Sequence, residues 1–329
     1  MSIIPIFFSA NDNYVPIMSV MIRSIMENAN NERKYEIIIL HRDISENGIQ
    51  KLRKMVAEFP YFSISFFDFS LIIENSKFFI SRHISVETYF RLWIPSRFPQ
   101  YDKAIYLDGD MVCRADISQL FDTDISNYLV GGVRDMAVAW YFQPKKLQNS
   151  EFRKIYEYIQ TMENPSDYIN AGMLLINCEK IRQIYSEKSI VDTIFSREWQ
   201  VHDQDIINFL AKDKILHMDY KWNYMPTKWA QYLPQNLKDE YFSAKENPKI
   251  LHFKPYQYWW YVPFFDEFWK YATRTPFVKK IVAKTNKNGI FEKEELEEKI
   301  CFIAQTRAGF GGKAIIKTIL SLLTRFSKK

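Results

Sequence analysis

Short apolar runs alternate with amphipathic segments along the first part of the chain. The apolar runs at residues 3–8, 35–40 and 63–67 have the length and composition of buried strands. Between the first two, Asn13 can cap a helix that begins near Pro16, with apolar positions 18, 21, 22 and 25 on one face. Ser45 can open a second helix, whose apolar positions 49, 52 and 56 also share a face. This βαβαβ order predicts a parallel sheet covered by helices.

Further apolar runs continue the pattern toward residue 260. Strands are predicted at residues 104–107, 129–133, 171–176 and 249–253, and helices at 186–199 and 205–210. The pattern therefore predicts the α/β class, with a mostly parallel sheet.

The C-terminal region has a different character. Residues 292–303 have a charged helical pattern, a glycine-rich break follows at 309–312, and residues 313–329 place an apolar face opposite a basic and polar one. We therefore expect one main domain at residues 1–265 and a basic helical region at residues 266–329.

The charge distribution follows the same division. The chain of 329 residues carries a net charge of +5, but from Lys270 onward 14 Lys and Arg stand against 5 Asp and Glu, a local charge of +9. The preceding residues carry −4, which disfavours a nucleic-acid partner. The basic amphipathic end predicts an in-plane helix on an anionic membrane surface, and the alternative is a packed terminal helix with a solvated face.

Composition excludes several classes of protein. Hydrophobic residues make up 47% of the chain, with only 9 Gly and 13 Pro, which excludes disordered and collagen-like chains. The 3 Cys are an odd number without CxxC spacing and fit a reducing cytoplasm. Residues 1–8 lack the basic start and cleavage site of a signal peptide. No apolar run reaches the roughly eighteen residues of a membrane span.

The sharpest local feature is the tripeptide Asp108-Gly109-Asp110, directly after the predicted strand at 104–107. In an extended chain the two carboxylates point the same way, at the strand end where α/β sheets place ligands. Such a pair suits Mn²⁺ or Mg²⁺ bridging substrate phosphates, whereas the alternative is a solvated turn. His252, after another apolar run, is either a further ligand or a packed histidine.

The exit of the first strand, at residues 8–14, carries small and amide side chains before a helix N-terminus. This setting favours a nucleotide base or phosphate, and the alternative is a capped turn. GxGxxG and GxxxxGK[ST] motifs are both absent, which disfavours a dinucleotide dehydrogenase and a P-loop kinase.

Five segments together resemble glycosyltransferase family 8, in particular its bacterial lipooligosaccharide galactosyl- and glucosyltransferases. In chain order they are FSANDNY (8–14), RHIS with TYFRL (82–92), DGD (108–110), NAGMLLIN (170–177) and DQDIIN (203–208). The resemblance covers roughly residues 3–260. It implies a single Rossmann-like nucleotide-binding domain of the glycosyltransferase A type, with a mostly parallel mixed sheet.

The resemblance also implies a set of site residues. Asp108, Asp110 and His252 would hold Mn²⁺, with Mg²⁺ as the alternative. The residues expected to contact the UDP-sugar are Ser9, Ala10, Asn11, Asn13, Arg91, Asp108, Gly109, Asp110, Asn170, Ala171 and Lys254. The residues expected at the reacting carbon are Gln204, Asp203 and Asp135. The family often has an aspartate where Asn11 stands, and the spacing around Lys254 departs from the family pattern.

The implied activity is transfer of galactose or glucose, with retention of configuration, from a UDP-sugar to a hydroxyl of a surface glycan or glycolipid. An amide is a poor nucleophile, so Gln204 at the reacting carbon favours a same-face reaction over a double displacement. The alternatives are a nucleotide-sugar-binding protein without catalysis and a metal-dependent phosphodiesterase. The expected location is cytoplasmic, peripheral on the inner face of the cytoplasmic membrane.

Overall fold

The computed structural model describes residues 3–74, 77–80, 84–143, 148–155, 157–253 and 264–287. Lys254 and the helices predicted at 292–303 and 313–329 lie outside these ranges. The strands are β1 (Ile3–Ser9), β2 (Lys34–His41), β3 (Phe62–Asp68), β4 (Lys103–Leu107), β5 (Met111–Cys113), β6 (Val130–Arg134), β7 (Ile169–Asn177), β8 (Ile215–Met218) and β9 (Ile250–His252).

Seven of these strands form one sheet in the order β3-β2-β1-β4-β7-β6-β8, and β5 pairs with β9 in a small second sheet. Strand β7 runs antiparallel to both of its neighbours, and the other four pairings of the large sheet are parallel. The predicted α/β class with a mixed, mostly parallel sheet is therefore confirmed. The predicted strands lie within two residues of the observed ones, whereas β5 and β8 were not predicted.

The α-helices of the described residues lie on both faces of the sheet. They are α1 (Val15–Asn28), α2 (Glu46–Val56), α3 (Ser70–Ile73), α4 (Ile94–Arg97), α5 (Ser118–Phe121), α6 (Met136–Tyr141), α7 (Ser150–Ile155), α8 (Cys178–Ile184), α9 (Glu187–Phe195), α10 (Asp203–Leu210), α11 (Gln235–Glu246), α12 (Phe265–Ala272) and α13 (Val278–Lys287). Turns of 3₁₀ helix span Val86–Trp93, Ile159–Thr161, Pro165–Asp167, Tyr220–Asn223 and Lys228–Tyr232.

The caps of the first two helices differ in how well the sequence predicted them. Ser45 caps α2 as expected, since its hydroxyl accepts a hydrogen bond from the Gly48 amide at 3.2 Å. The predicted cap at Asn13 is wrong, because α1 follows Tyr14 and no side chain caps it. Asn11 instead accepts from the Tyr14 amide at 3.1 Å and so closes the turn before the helix.

Buried side chains form one cluster on each face of the large sheet. Along β1, Ile6 and Phe8 belong to the cluster under α1 and α2, while Phe7 between them belongs to the cluster under Val86–Trp93, α4 and α10. Alternate side chains of a strand point to opposite faces, and both faces here are covered. A strand buried on both sides explains why β1 reads as a continuous apolar run.

Helices α12 and α13 fall in the predicted C-terminal region and pack against α1. Trp269 is fully buried, in the same cluster as Ile6 and Phe8 of β1. Asn28 donates to the hydroxyl of Tyr271 at 2.8 Å, and Arg274 pairs with Glu27 at 2.6 Å. Within the described ranges, none of the helices combines the length and apolar character that crossing a bilayer requires.

The buried position of Trp269 makes α12 a testable part of the core. We expect Trp269→Ala to lower the free energy of unfolding by about 3–5 kcal/mol, because it removes a large side chain from a packed cluster. Urea unfolding followed by circular dichroism measures the change. Phe242→Ala on α11, where the side chain is 49% exposed, is the control and should change stability by about 0.5 kcal/mol. Equal effects of the two substitutions would contradict the packing described for α12.

Candidate functional site

The Asp108-Gly109-Asp110 tripeptide lies where the chain leaves the large sheet. Strand β4 ends at Leu107, and the Asp108 amide still donates to the carbonyl of Gly172 on β7 at 2.8 Å. After Asp110 the chain enters β5, in which Met111 pairs with His252 of β9. This register brings the imidazole beside the two carboxylates although it lies far away in sequence.

Asp108, Asp110 and His252 form a compact group. One ligand atom from each lies within 4.8 Å of those of the other two. The side chains of Asp110 and His252 are buried, whereas that of Asp108 is 27% exposed and leaves the group accessible from one side. The carboxylate oxygens are hard donors, and the imidazole nitrogen is a donor of intermediate softness. This set of ligand atoms fits Mn²⁺ or Mg²⁺.

Two glycines make this convergence possible. A Cβ atom on Gly172 would lie 2.5 Å from Cε1 of His252 and 3.0 Å from a carboxylate oxygen of Asp108. A Cβ atom on Gly109 would lie 2.8 Å from the Tyr14 ring. Any side chain at Gly172 would push His252 away from the carboxylates. Gly172 was not predicted as a site residue, because a glycine within a strand pattern carries no chemistry of its own.

Arg91 lies beside this group, on the 3₁₀ segment Val86–Trp93. Its guanidinium pairs with Asp108 at 2.9 Å and Asp203 at 3.0 Å, donates to the carbonyl of Ala171, and stacks on the Tyr106 ring at 4.0 Å. Burial alone would lower the pKa of Arg91, but the two carboxylates raise it above its ordinary value. A permanent positive charge is therefore fixed next to the aspartates.

A second group of polar side chains lies on β7, α10 and the start of α6. Asp135 caps α6, and its Oδ2 accepts from Nδ2 of Asn170 at 3.1 Å and from Nε2 of Gln204 at 3.0 Å. The Oε1 of Gln204 accepts from the Ala171 amide at 3.0 Å and from Asn170 at 3.1 Å. The structure thus brings together Asp135, Asn170, Ala171 and Gln204, four of the residues that the family resemblance suggested for the site.

Asp203, the first residue of α10, links the two groups. Its Oδ1 accepts from the Thr88 hydroxyl at 2.6 Å, and its Oδ2 pairs with Arg91. Thr88 also accepts from Arg91 at 3.3 Å and had not been expected to take part.

Asn223 was also not predicted, and it joins His252 to the polar group on β7. Its Oδ1 lies 2.9 Å from Nδ1 of His252, and its Nδ2 donates to Oδ1 of Asn170 at 2.9 Å. An isolated asparagine in an aromatic stretch carries no pattern that would have revealed it.

The turn after β1 lies at the carboxyl edge of the sheet. Ser9 and Ala10 are buried, Asn11 is partly buried, and Asn13 is exposed. Tyr14 reaches from this turn toward the aspartates, and the pKa of its hydroxyl is raised well above its ordinary value by burial and by the carboxylates of Asp110 and Asp108. Lys254 is outside the described residues.

The chain resembles several known proteins. The family model "Glycosyl transferase family 8" matches residues 5–260. General stress protein A of Bacillus subtilis is 25% identical over 285 residues, which cover 81% of this chain and 92% of that protein. Lipopolysaccharide 1,3-galactosyltransferase of Salmonella typhimurium is 25% identical over 206 residues, which cover 58% of this chain and 55% of that enzyme.

A solved structure shares the fold. Galactosyltransferase LgtC, in complex with donor and acceptor sugar analogs, matches with a TM-score of 0.66 and 24% identity over 83% of this chain and 96% of that one. The family match itself runs from within β1 to beyond β9 and includes both aspartates of the tripeptide and His252. By this match, the chain belongs to glycosyl transferase family 8.

Proposed function

We propose that this glycosyltransferase moves a hexose, galactose or glucose, from a UDP-sugar to a hydroxyl of a bacterial surface glycan, and that it requires Mn²⁺. The observation that carries the proposal is the convergence of Asp108, Asp110 and His252 at the carboxyl edge of the sheet. The names of two relatives, lipopolysaccharide 1,2-glucosyltransferase and 1,3-galactosyltransferase, support the donor and acceptor classes.

We call Asp108, Asp110 and His252 the metal group. The residues around it suit a diphosphate leaving group. Mn²⁺ at this group would stabilise the negative charge that collects on the departing UDP. Arg91 adds a buried positive charge and holds Asp108 in place. Ser9, Ala10, Asn11 and Asn13 would bind the uridine from the adjacent turn, where backbone and amide groups can pair with a base edge.

The polar group on β7 and α10 would hold the transferred sugar. Asp203 and Asp135 can accept hydrogen bonds from sugar hydroxyls, and Asn170 can donate or accept. Gln204 already accepts two hydrogen bonds at Oε1, from Asn170 and from the Ala171 amide. An amide oxygen engaged in this way is a weak nucleophile. This supports retention by a same-face reaction, in which the leaving phosphate assists deprotonation of the acceptor hydroxyl.

The predicted membrane contact belongs to this proposal through the basic segment 313–329. Removing residues 313–329 is expected to weaken sedimentation with vesicles of anionic lipid, because the segment carries positive charge and an apolar face. Activity on a soluble acceptor should stay unchanged. Vesicle binding that survives the truncation would contradict the role of the segment.

The metal group is tested with Asp110→Asn, which keeps the shape of the side chain and removes its charge. We expect Mn²⁺-dependent UDP release from UDP-galactose or UDP-glucose, with a glycan acceptor, to fall at least about 100-fold, because a metal-held charge supplies several kcal/mol to the transition state. Asp192→Asn on α9, where the carboxylate is 60% exposed, is the matched control and should keep full activity.

Two outcomes would count against the proposal. Wild-type turnover by Asp110→Asn would show that the metal assignment is wrong. Calorimetric binding of UDP and Mn²⁺ by the unmodified protein, without UDP release on any donor, would favour the nucleotide-sugar-binding alternative. The phosphodiesterase alternative lacks support, since the described residues contain no metal-binding group besides Asp108, Asp110 and His252.

The ionisation of Asp203 gives a prediction about pH. Burial raises its pKa to about 6, although Arg91 and the Thr88 hydrogen bond lower it. An unfolded aspartate has a pKa of about 3.9, so the folded state binds this proton more tightly. The stability contributed by this group is therefore present at low pH and is lost as the pH rises from about 4 to 6.

Asp203→Asn cannot titrate and should lack this loss. Its free energy of unfolding minus that of wild type is expected to increase by up to about 3 kcal/mol between pH 4 and pH 7, so the variant gains stability relative to wild type. Urea unfolding across this range measures the difference, with Asp192→Asn as the exposed control. A difference that is independent of pH would contradict the raised pKa.

A further inference from the structure

Asn223 connects two parts of the site that lie on different strands. It ends the 3₁₀ segment Tyr220–Asn223 and is 4% exposed. On one side it meets Nδ1 of His252 on β9, and on the other it meets Asn170 on β7, each at 2.9 Å. A buried amide with partners at both ends has a fixed position and a fixed orientation.

The direction of these hydrogen bonds follows from backbone amides, which can only donate. The Gly172 amide donates to Asn170 at 2.9 Å, so the atom of Asn170 at this position is its oxygen, Oδ1. The group of Asn223 that faces this oxygen must then be its NH₂ group. The Ala171 amide likewise donates to Gln204, so the atom of Gln204 at that position is its oxygen, Oε1. The group of Asn170 that faces Oε1 is therefore its NH₂ group.

The same reasoning determines the tautomer of His252. Since the NH₂ group of Asn223 faces Asn170, its carbonyl oxygen faces Nδ1 of His252. A carbonyl oxygen only accepts, so Nδ1 carries the proton, and in the neutral ring Nε2 carries the lone pair. Nε2 lies 3.5 Å from Oδ1 of Asp110, in a place where both side chains are buried. Two acceptor atoms that face each other at this distance favour a cation.

We propose that Asn223 is a positioning residue that holds His252 as the Nδ1–H tautomer and thereby presents Nε2 to the cation. The orientation originates in the backbone of β7, through Gly172 and Asn170. The same amide ties the metal group to the side chains assigned to the donor sugar. This inference rests on the proposed metal-dependent function, and it adds a residue to which neither a motif nor the family comparison assigned a role.

Three variants separate orientation of His252 from a general structural effect. Asn223→Ala removes both hydrogen bonds, whereas Asn223→Asp keeps an oxygen that can accept from Nδ1–H. Asn177→Ala is the control: Asn177 likewise donates from its amide, to the carbonyls of Ile125 and Tyr128, and it caps α8 away from the metal group. Urea unfolding shows that each variant is folded and how much stability it loses.

The first measurement is Mn²⁺ affinity, by calorimetry and by the paramagnetic resonance signal of free Mn²⁺. Asn223→Ala is expected to weaken Mn²⁺ binding about 10–100-fold, as is typical when a partner behind a metal-bound histidine is lost. Asn223→Asp should bind at least about as tightly as wild type, and Asn177→Ala should match wild type despite lower stability. Equal losses in Asn223→Ala and Asn223→Asp would overturn the inference.

The second measurement needs no metal. Nitrogen-15 spectra of histidine-labelled, metal-free protein distinguish the two neutral tautomers, and the His252→Gln spectrum identifies the signals of His252. We expect the Nδ1–H form in wild type and in Asn177→Ala, and a mixture of both forms in Asn223→Ala. An Nε2–H form in wild type would overturn the inference. Failure of wild type to bind Mn²⁺ would instead refute the proposed function, and the tautomer would still test Asn223.

Discussion

The buried guanidinium of Arg91 is the group on which the rest of the site depends. A cation removed from water must be compensated by negative charge and hydrogen-bond acceptors. Asp108 at the end of β4 and Asp203 at the start of α10 supply the charge, and Ala171 on β7 supplies a carbonyl oxygen. These three elements cannot shift independently, because each provides a group to the same cation. The relative positions of Asp108 and of the polar side chains on β7 and α10 are set in this way.

Asp108 belongs both to the ion pair with Arg91 and to the group that it forms with Asp110 and His252. It is the most exposed member of that group. The carboxylates are thus partly neutralised by an internal cation before any ligand arrives. Under the proposed function, the remaining negative charge would attract a divalent ion, and the fixed positive charge of Arg91 would lie close to the diphosphate.

The sequence predicted those features that depend on local patterns. Seven of the nine strands and the Ser45 cap follow from apolar spacing and from one side chain, and ordered motifs suggested Asp108, Asp110 and Arg91 as site residues. Apart from the wrong cap at Asn13, two features that it missed, β5 and Asn223, depend on long-range contacts. Strand β5 has three residues and exists because β9 pairs with it. Asn223 lies outside the strands and has its partners on β7 and β9, so no local spacing could reveal it.

The pairing of β5 with β9 also has a consequence for biosynthesis. The two aspartates leave the ribosome early, but the strand that carries His252 emerges only after α11, and Trp269 later still. Until then β5 has no partner and α1 lacks the helices that cover it. Such distant pairings form slowly and leave apolar surface uncovered in the meantime. The nascent chain therefore acquires the complete group of Asp108, Asp110 and His252 only after β9 has emerged and paired with β5, long after the two aspartates themselves have been synthesised.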